Sequence, residues 1–165
     1  MNKLAIYPGT FDPITYGHID IINRISKIFH KVIIAVIKNP KKKLMFKASE
    51  RIILIKKSIK KNKNIKVLIF NDLIINFAIK NKSNILIRGI RNTNDFNKEY
   101  DFEKFNKLMN KDIEVIFLFS SKNLSFLSSS LVKEIAAYKG NLKKFVPLCV
   151  HQAMKKKIKL TKNIN

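Results

Sequence analysis

The chain of 165 residues has no tryptophan, one cysteine, four glycines and four prolines. Cys149 alone cannot close an internal disulfide, which fits a reducing, cytoplasmic compartment. With one cysteine and three well-separated histidines, His18, His30 and His151, a Cys/His metal cluster is excluded. Acidic residues number 11 against 34 basic ones, and no cluster of carboxylates stands out as a metal site. No apolar run approaches the length of a membrane-spanning helix, and Met1-Asn2-Lys3-Leu4 opens no secretory signal. No stretch rich in glycine and proline divides the chain, and no internal repeat is visible. With 46% hydrophobic residues and a mean hydropathy of −0.08, the composition is that of one globular domain. The domain is expected over 1–154, followed by a basic tail over 155–165 that frays.

The net charge of +23 invites a nucleic-acid reading. The composition argues otherwise. Lysine occurs 30 times, isoleucine 27 and asparagine 18, and all three have A/T-rich codons. The lysines are spread over every segment, so biased composition explains the charge and no dedicated nucleic-acid or membrane partner is expected. Arginine is scarce by contrast, with four in the chain, and Arg88 and Arg91 stand three apart.

Apolar runs alternate with amphipathic ones. Leu4–Tyr7, Val32–Ile37, Ile65–Phe70, Ile85–Ile87 and Val115–Leu118 read as short buried strands. Helical periodicity runs from Gly17 through Ile19, Ile22, Ile25, Ile28 and Phe29. It recurs over Ser49–Lys61, Leu73–Lys80 and Phe96–Met109. Ser128–Ser130 supplies N-cap material for another helix that stops at Gly140, and Val146-Pro147 opens a last one. This alternation predicts an α/β fold, a single-domain Rossmann-like parallel five-stranded sheet with helices on both faces.

Ligands of such sheets bind beyond the carboxyl ends of the strands. The segments there are Pro8 to His18, Lys38 to Lys43, Arg88 to Arg91 and Phe119 to Ser130. All offer donors or positive charge, which fits a phosphate-bearing ligand. Each has a plainer reading: a glycine turn, a helix cap, a solvated lysine run. Arg88 and Arg91 resist it best, because a guanidinium fork suits phosphate oxygens. Gly9 and Gly89 would let phosphates approach the backbone. Neither G-x-x-x-x-G-K-[ST] nor G-x-G-x-x-G occurs.

Tyr7-Pro8-Gly9-Thr10-Phe11-Asp12-Pro13, followed by Thr15-x-Gly17-His18, resembles the nucleotidyltransferase superfamily with the T/H-x-G-H motif. Ser125 to Glu134 is similar to its second motif, I-S-S-S/T-x-[VI]-[RK]. Arg88-Gly89-Ile90-Arg91 with Asp95-Phe96 and Glu99 narrows the likeness to the bacterial phosphopantetheine adenylyltransferases. The resemblance runs from about Lys3 to Met154. It implies transfer of AMP from ATP to 4′-phosphopantetheine, giving dephospho-CoA and pyrophosphate, with Mg²⁺ and no covalent intermediate. It further implies a homohexamer inhibited by CoA.

By the same resemblance, His18, Lys42 and Arg91 serve the transition state. Thr10, Lys42 and Arg88 hold the phosphopantetheine phosphate, and Ile74, Asn106 and Glu134 meet the pantetheine arm. ATP is implied to lie against Thr10, Phe11, His18, Gly89, Ile90, Arg91 and Glu99. Its other contacts come from Leu124, Ser125, Phe126, Leu127, Ser128, Ser129 and Ser130. Departures from the family pattern fall at Leu124, Ser120 and Asn97-Lys98, and none removes a phosphate-binding group. The second motif differs from those usual in nicotinate-mononucleotide and CTP-dependent relatives. An RNA-binding surface would interleave aromatics with lysine on a strand, whereas the 12 phenylalanines fall mostly in apolar contexts.

Overall fold

The computed structural model describes residues 3–38, 44–59 and 62–162. Lys42, with Lys41 and Lys43, lies outside them. Five strands, β1 (Leu4–Gly9), β2 (Lys31–Ile37), β3 (Ile65–Phe70), β4 (Ile85–Ile90) and β5 (Glu114–Phe119), form one parallel sheet in the order β3-β2-β1-β4-β5. The helices are α1 (Tyr16–Ile28), α2 (Ala48–Ser58), α3 (Ile74–Lys80), α4 (Thr93–Met109), α5 (Ser129–Ala137) and α6 (Leu148–Lys162). The expected fold class is the one observed.

Alternation along the strands sorts the core into two layers. Tyr7, Ile34 and Ile87 face α1, α2, α5 and α6, while Ile6, Ile33 and Leu86 face α3. The β-branched run of β2 is buried on both faces, as a central strand should be. The outer strands differ from the reading of every strand as fully covered. Ile69 on β3 and Ile116 and Phe119 on β5 are exposed, because both are edge strands with one free side. On α1, Ile21, Ile22 and Ile25 are buried while Ile28 is exposed, so Phe29 closes the apolar stripe.

Two further boundaries moved. β4 continues past Ile87 to Ile90, paired with β5 up to Ile90 and Phe119, so Arg88 and Gly89 are strand residues and not loop. α6 carries on past Met154 to Lys162, through the boundary at 154. Ile158 packs on the core and Lys157 reaches Glu50 at 2.9 Å, and these contacts hold the helix down where fraying was expected.

The site is positioned by a gap in the sheet. β1 pairs with β2 from Leu4 to Gly9, yet with β4 only through Ala5 and Ile6. Pro8 has no N–H to give a ladder, and the β1–β4 ladder ends before it. The two central strands, whose crossovers leave in opposite directions, part at their carboxyl ends.

Candidate active site

A cleft of about 470 Å³ opens at that parting. Thr10, Phe11 and Thr15 from the β1–α1 loop line one side, with Gly17 and His18 of α1. Arg88, Gly89 and Arg91 line the other, with Glu99 of α4. Leu127, Ser128, Ser129, Ser130 and Lys133 close it.

His18 is held by a reciprocal cap. Thr15 is the N-cap of α1, and its side chain accepts from the His18 amide at 3.5 Å. In return the Thr15 amide donates to His18 Nδ1 at 3.1 Å. Nδ1 thereby acts as acceptor, so the ring proton sits on Nε2. Phe11 meets the imidazole edge-on, ring centroids 5.1 Å apart. Burial, and then the positive charge of Arg91, lower the His18 pKa to about 4. At neutral pH the ring is therefore an uncharged donor.

The loop before it is fixed by two buried ions. Asp12 accepts from the amides of Met45 and Phe46, both at 2.9 Å, and from Lys133 at 3.2 Å. It thus joins the β1–α1 loop to the segment before α2 and to α5. Arg51 of α2, 2% exposed, donates to the carbonyls of Thr10 at 2.5 Å, Ile37 at 2.9 Å and Phe46 at 3.2 Å. Burial lowers its pKa and Asp12 opposes that. Between these anchors Phe11 adopts φ 50°, a left-handed conformation uncommon for a bulky residue. Its buried ring fills the space beside Gly9, where a Cβ would stand 2.9 Å from ring carbons. A Cβ on Gly89 would lie 3.1 Å from the Tyr7 hydroxyl. The room beside both glycines is thus taken by the chain's own aromatic rings.

The arginines of the cleft carry their own partners. Arg88 Nε lies 3.0 Å from Glu99. Arg91 grips Asp95 with two nitrogens, at 2.7 and 3.0 Å. The helix N-termini are also partly engaged. At α1, Tyr16 donates to the Phe145 carbonyl and His18 to Thr15, and the Gly17 amide has no partner among the described residues. At α5, the Ser128 hydroxyl caps the Leu131 amide and the Ser129 hydroxyl donates to the Pro13 carbonyl. No partner is seen for the Ser130 hydroxyl among the described residues.

Residues 6–135 match the cytidylyltransferase-like family. The chain is 53% identical to the phosphopantetheine adenylyltransferase of Wigglesworthia glossinidia brevipalpis, over 99% of each chain. It is also 53% identical to that of Buchnera aphidicola subsp. Acyrthosiphon pisum (strain Tuc7), over 96% of each. The chain belongs to the phosphopantetheine adenylyltransferase family. A protein described as a nicotinate-nucleotide adenylyltransferase of Vibrio parahaemolyticus shares the fold, with a TM-score of 0.70 at 15% identity and coverage of 94% and 93%. So does the Plasmodium falciparum nicotinic acid mononucleotide adenylyltransferase in complex with NaAD, at 0.67, 16%, 94% and 96%.

In this adenylyltransferase the cleft gathers ten of the residues singled out by sequence: Thr10, Phe11, His18, Arg88, Gly89, Arg91 and Glu99 with the three serines. Leu127 joins them at the cleft wall. Ile74 starts α3 half-buried on the other layer, and Ile90 is buried. Asn106 is buried in α4, Glu134 is exposed on α5, and Leu124, Ser125 and Phe126 lie outside the cleft lining. Asp12, Arg51 and Lys133 were missed as site residues. Arginine scarcity was the signal that could have found Arg51.

Proposed function

We infer that this enzyme transfers the adenylyl group of ATP reversibly to 4′-phosphopantetheine, giving dephospho-CoA and pyrophosphate, the penultimate step of coenzyme A synthesis. The observation that carries the reading is the neutral, Nε2-protonated His18 fixed at the N-cap of α1, in a chain 53% identical to relatives of that name. The pantetheine phosphate attacks the ATP α-phosphorus in line. One P–O bond forms, the bond to pyrophosphate breaks, and no enzyme group is modified. Charge builds on the α-phosphate oxygens, and the His18 Nε2–H would donate to them. Thr10, on a loop pinned by Arg51, holds the acceptor phosphate with Arg88. Arg91, Ser129 and Ser130 receive the triphosphate. Lys42 enters on the resemblance.

The nucleotide is taken as its magnesium complex, with the ion held by the triphosphate and water. Among the described residues no group of three His, Cys, Asp or Glu is placed to hold a metal. The carboxylates of the cleft are engaged, Asp12 with two amides and Lys133, Glu99 with Arg88.

The remaining parts of the reading have their own supports. A homohexamer would cover the apolar face of α4, where Phe102, Phe105, Leu108 and Met109 are exposed. CoA would inhibit because it shares the phosphopantetheine moiety of the acceptor. The single free cysteine suits the cytoplasm.

The test is pyrophosphate release from MgATP with 4′-phosphopantetheine, nicotinate mononucleotide or glycerol 3-phosphate as acceptor. Release with phosphopantetheine alone is expected. Release with another acceptor, or with none in a folded protein, overturns the assignment.

A further inference from the structure

A second cavity, about 350 Å³, lies between the end of α5 and α6, away from the active-site cleft. Its floor is apolar: Ala136 of α5, Leu142 of the connection, Met154 and Ile158 of α6. Lys139, Lys155 and Lys159 stand exposed around its mouth. None of the three pairs with a carboxylate among the described residues. Into this setting the fold places His151, 7% exposed, with a buried Nδ1 that has no hydrogen-bond partner. A buried polar atom without a partner is costly, and native structures keep few of them.

We propose that this cavity binds a small amphiphilic anion, a medium-chain carboxylate, with its chain on the apolar floor and its head among the lysines. The volume is that of a small-molecule site. The apolar floor disfavours inorganic phosphate and nucleotides, which have no chain to bury. The lysine rim disfavours a neutral lipid, which would leave the charges unanswered. His151 lines the cavity beside the head, and its uncharged ring leaves the positive charge of the rim to the lysines. Burial, then Lys155 and Lys143, lower its pKa and keep the ring uncharged. The site is independent of the adenylyl-transfer reading, since no residue lining it lines the cleft.

The experiment is a titration of the full chain with octanoate below its micelle concentration. The His151 ring nitrogens and the Met154 methyl are followed by NMR, with the His18 ring as internal reference. Acetate, octanol and inorganic phosphate are run in parallel. Saturable shifts at His151 and Met154 with octanoate are expected, with acetate and octanol at least about tenfold weaker. Lys139→Gln with Lys155→Gln changes only exposed side chains and should weaken octanoate about tenfold while sparing octanol. Ala136→Leu should fill the floor and abolish the shifts. Octanol binding as tightly as octanoate would reduce the cavity to an apolar void and overturn the proposal. Absence of saturation, or shifts at His18 in place of His151, also overturns it.

Discussion

The Thr15 amide donates to Nδ1 of His18 at 3.1 Å while the Thr15 side chain receives the His18 amide. One residue therefore caps the helix and sets the tautomer of the His18 ring. His18→Ala should lower kcat about 10²–10³-fold, the loss typical of one transition-state donor. ATP affinity should stay near its starting value, because the donor acts mostly as charge develops. Steady-state kinetics with calorimetric ATP binding checks both. Unchanged turnover would remove His18 from the reaction.

The depressed pKa of His18 has a sign that can be worked through. The unfolded ring titrates near 6.5 and the folded one near 4, so the unfolded chain binds more protons between them. The stability contribution is present above pH 6.5 and is lost as pH falls through 4. Denaturant titrations between pH 4 and 7 should show this slope, and it should be weaker in His18→Asn. Across pH 6–8 the His18 ring should show no titration by NMR. A midpoint near 6.5 would contradict the geometry.

Arg51 should behave as a positioning residue. Arg51→Met leaves three carbonyls without their donor and should cost about 3–5 kcal/mol. Arg51→Lys keeps the charge but not the planar fork. It should regain part of the stability while KM for phosphopantetheine stays raised more than KM for ATP, since the Thr10 loop is loosened. Equal changes in both KM values would assign Arg51 to folding alone.

Asp12 and Lys133 should be energetically coupled. Asp12→Asn and Lys133→Met, combined, should destabilise less than the sum of the two by about 0.5–3 kcal/mol. Urea unfolding of the four proteins measures this. Strict additivity would mean that the 3.2 Å contact does not join the β1–α1 loop to α5.

Arg88 should be released by its own carboxylate when substrate arrives. Glu99→Gln should lower KM for the substrate whose phosphate Arg88 holds, and Arg88→Ala should raise it. Kinetics with each substrate varied in turn identifies which one. No change in either variant would leave Arg88 as a structural strand residue.

Much of this was legible before any coordinates. Ser128 was readable as a cap because caps are local, whereas Thr15 and His18 entered through the motif and the bond between them came only with the structure. The strands were readable as short apolar runs, β2 most of all, where Val32–Ile37 carries no polar residue. Arg88 was read as loop because the apolar run stops at Ile87, yet ladder pairing with Phe117 and Leu118 continues through Arg88 and Gly89. Arg51 was hidden because its helix position lies among charged residues such as Glu50, Lys56 and Lys57, and its partners Thr10 and Ile37 are far away in sequence. The exposure of Ile116 and Phe119 follows from strand order, which no local pattern carries.

The pairing of Arg88 with Glu99 and of Arg91 with Asp95 makes the cleft an ion exchanger. Each guanidinium already has a tethered counter-ion, so a phosphate binding there would displace a carboxylate as well as water. The net charge gained on binding is then smaller than a count of arginines suggests, and affinity should fall gently with ionic strength. In a molecule of charge +23, such tethering also keeps stray anions from settling on these two arginines.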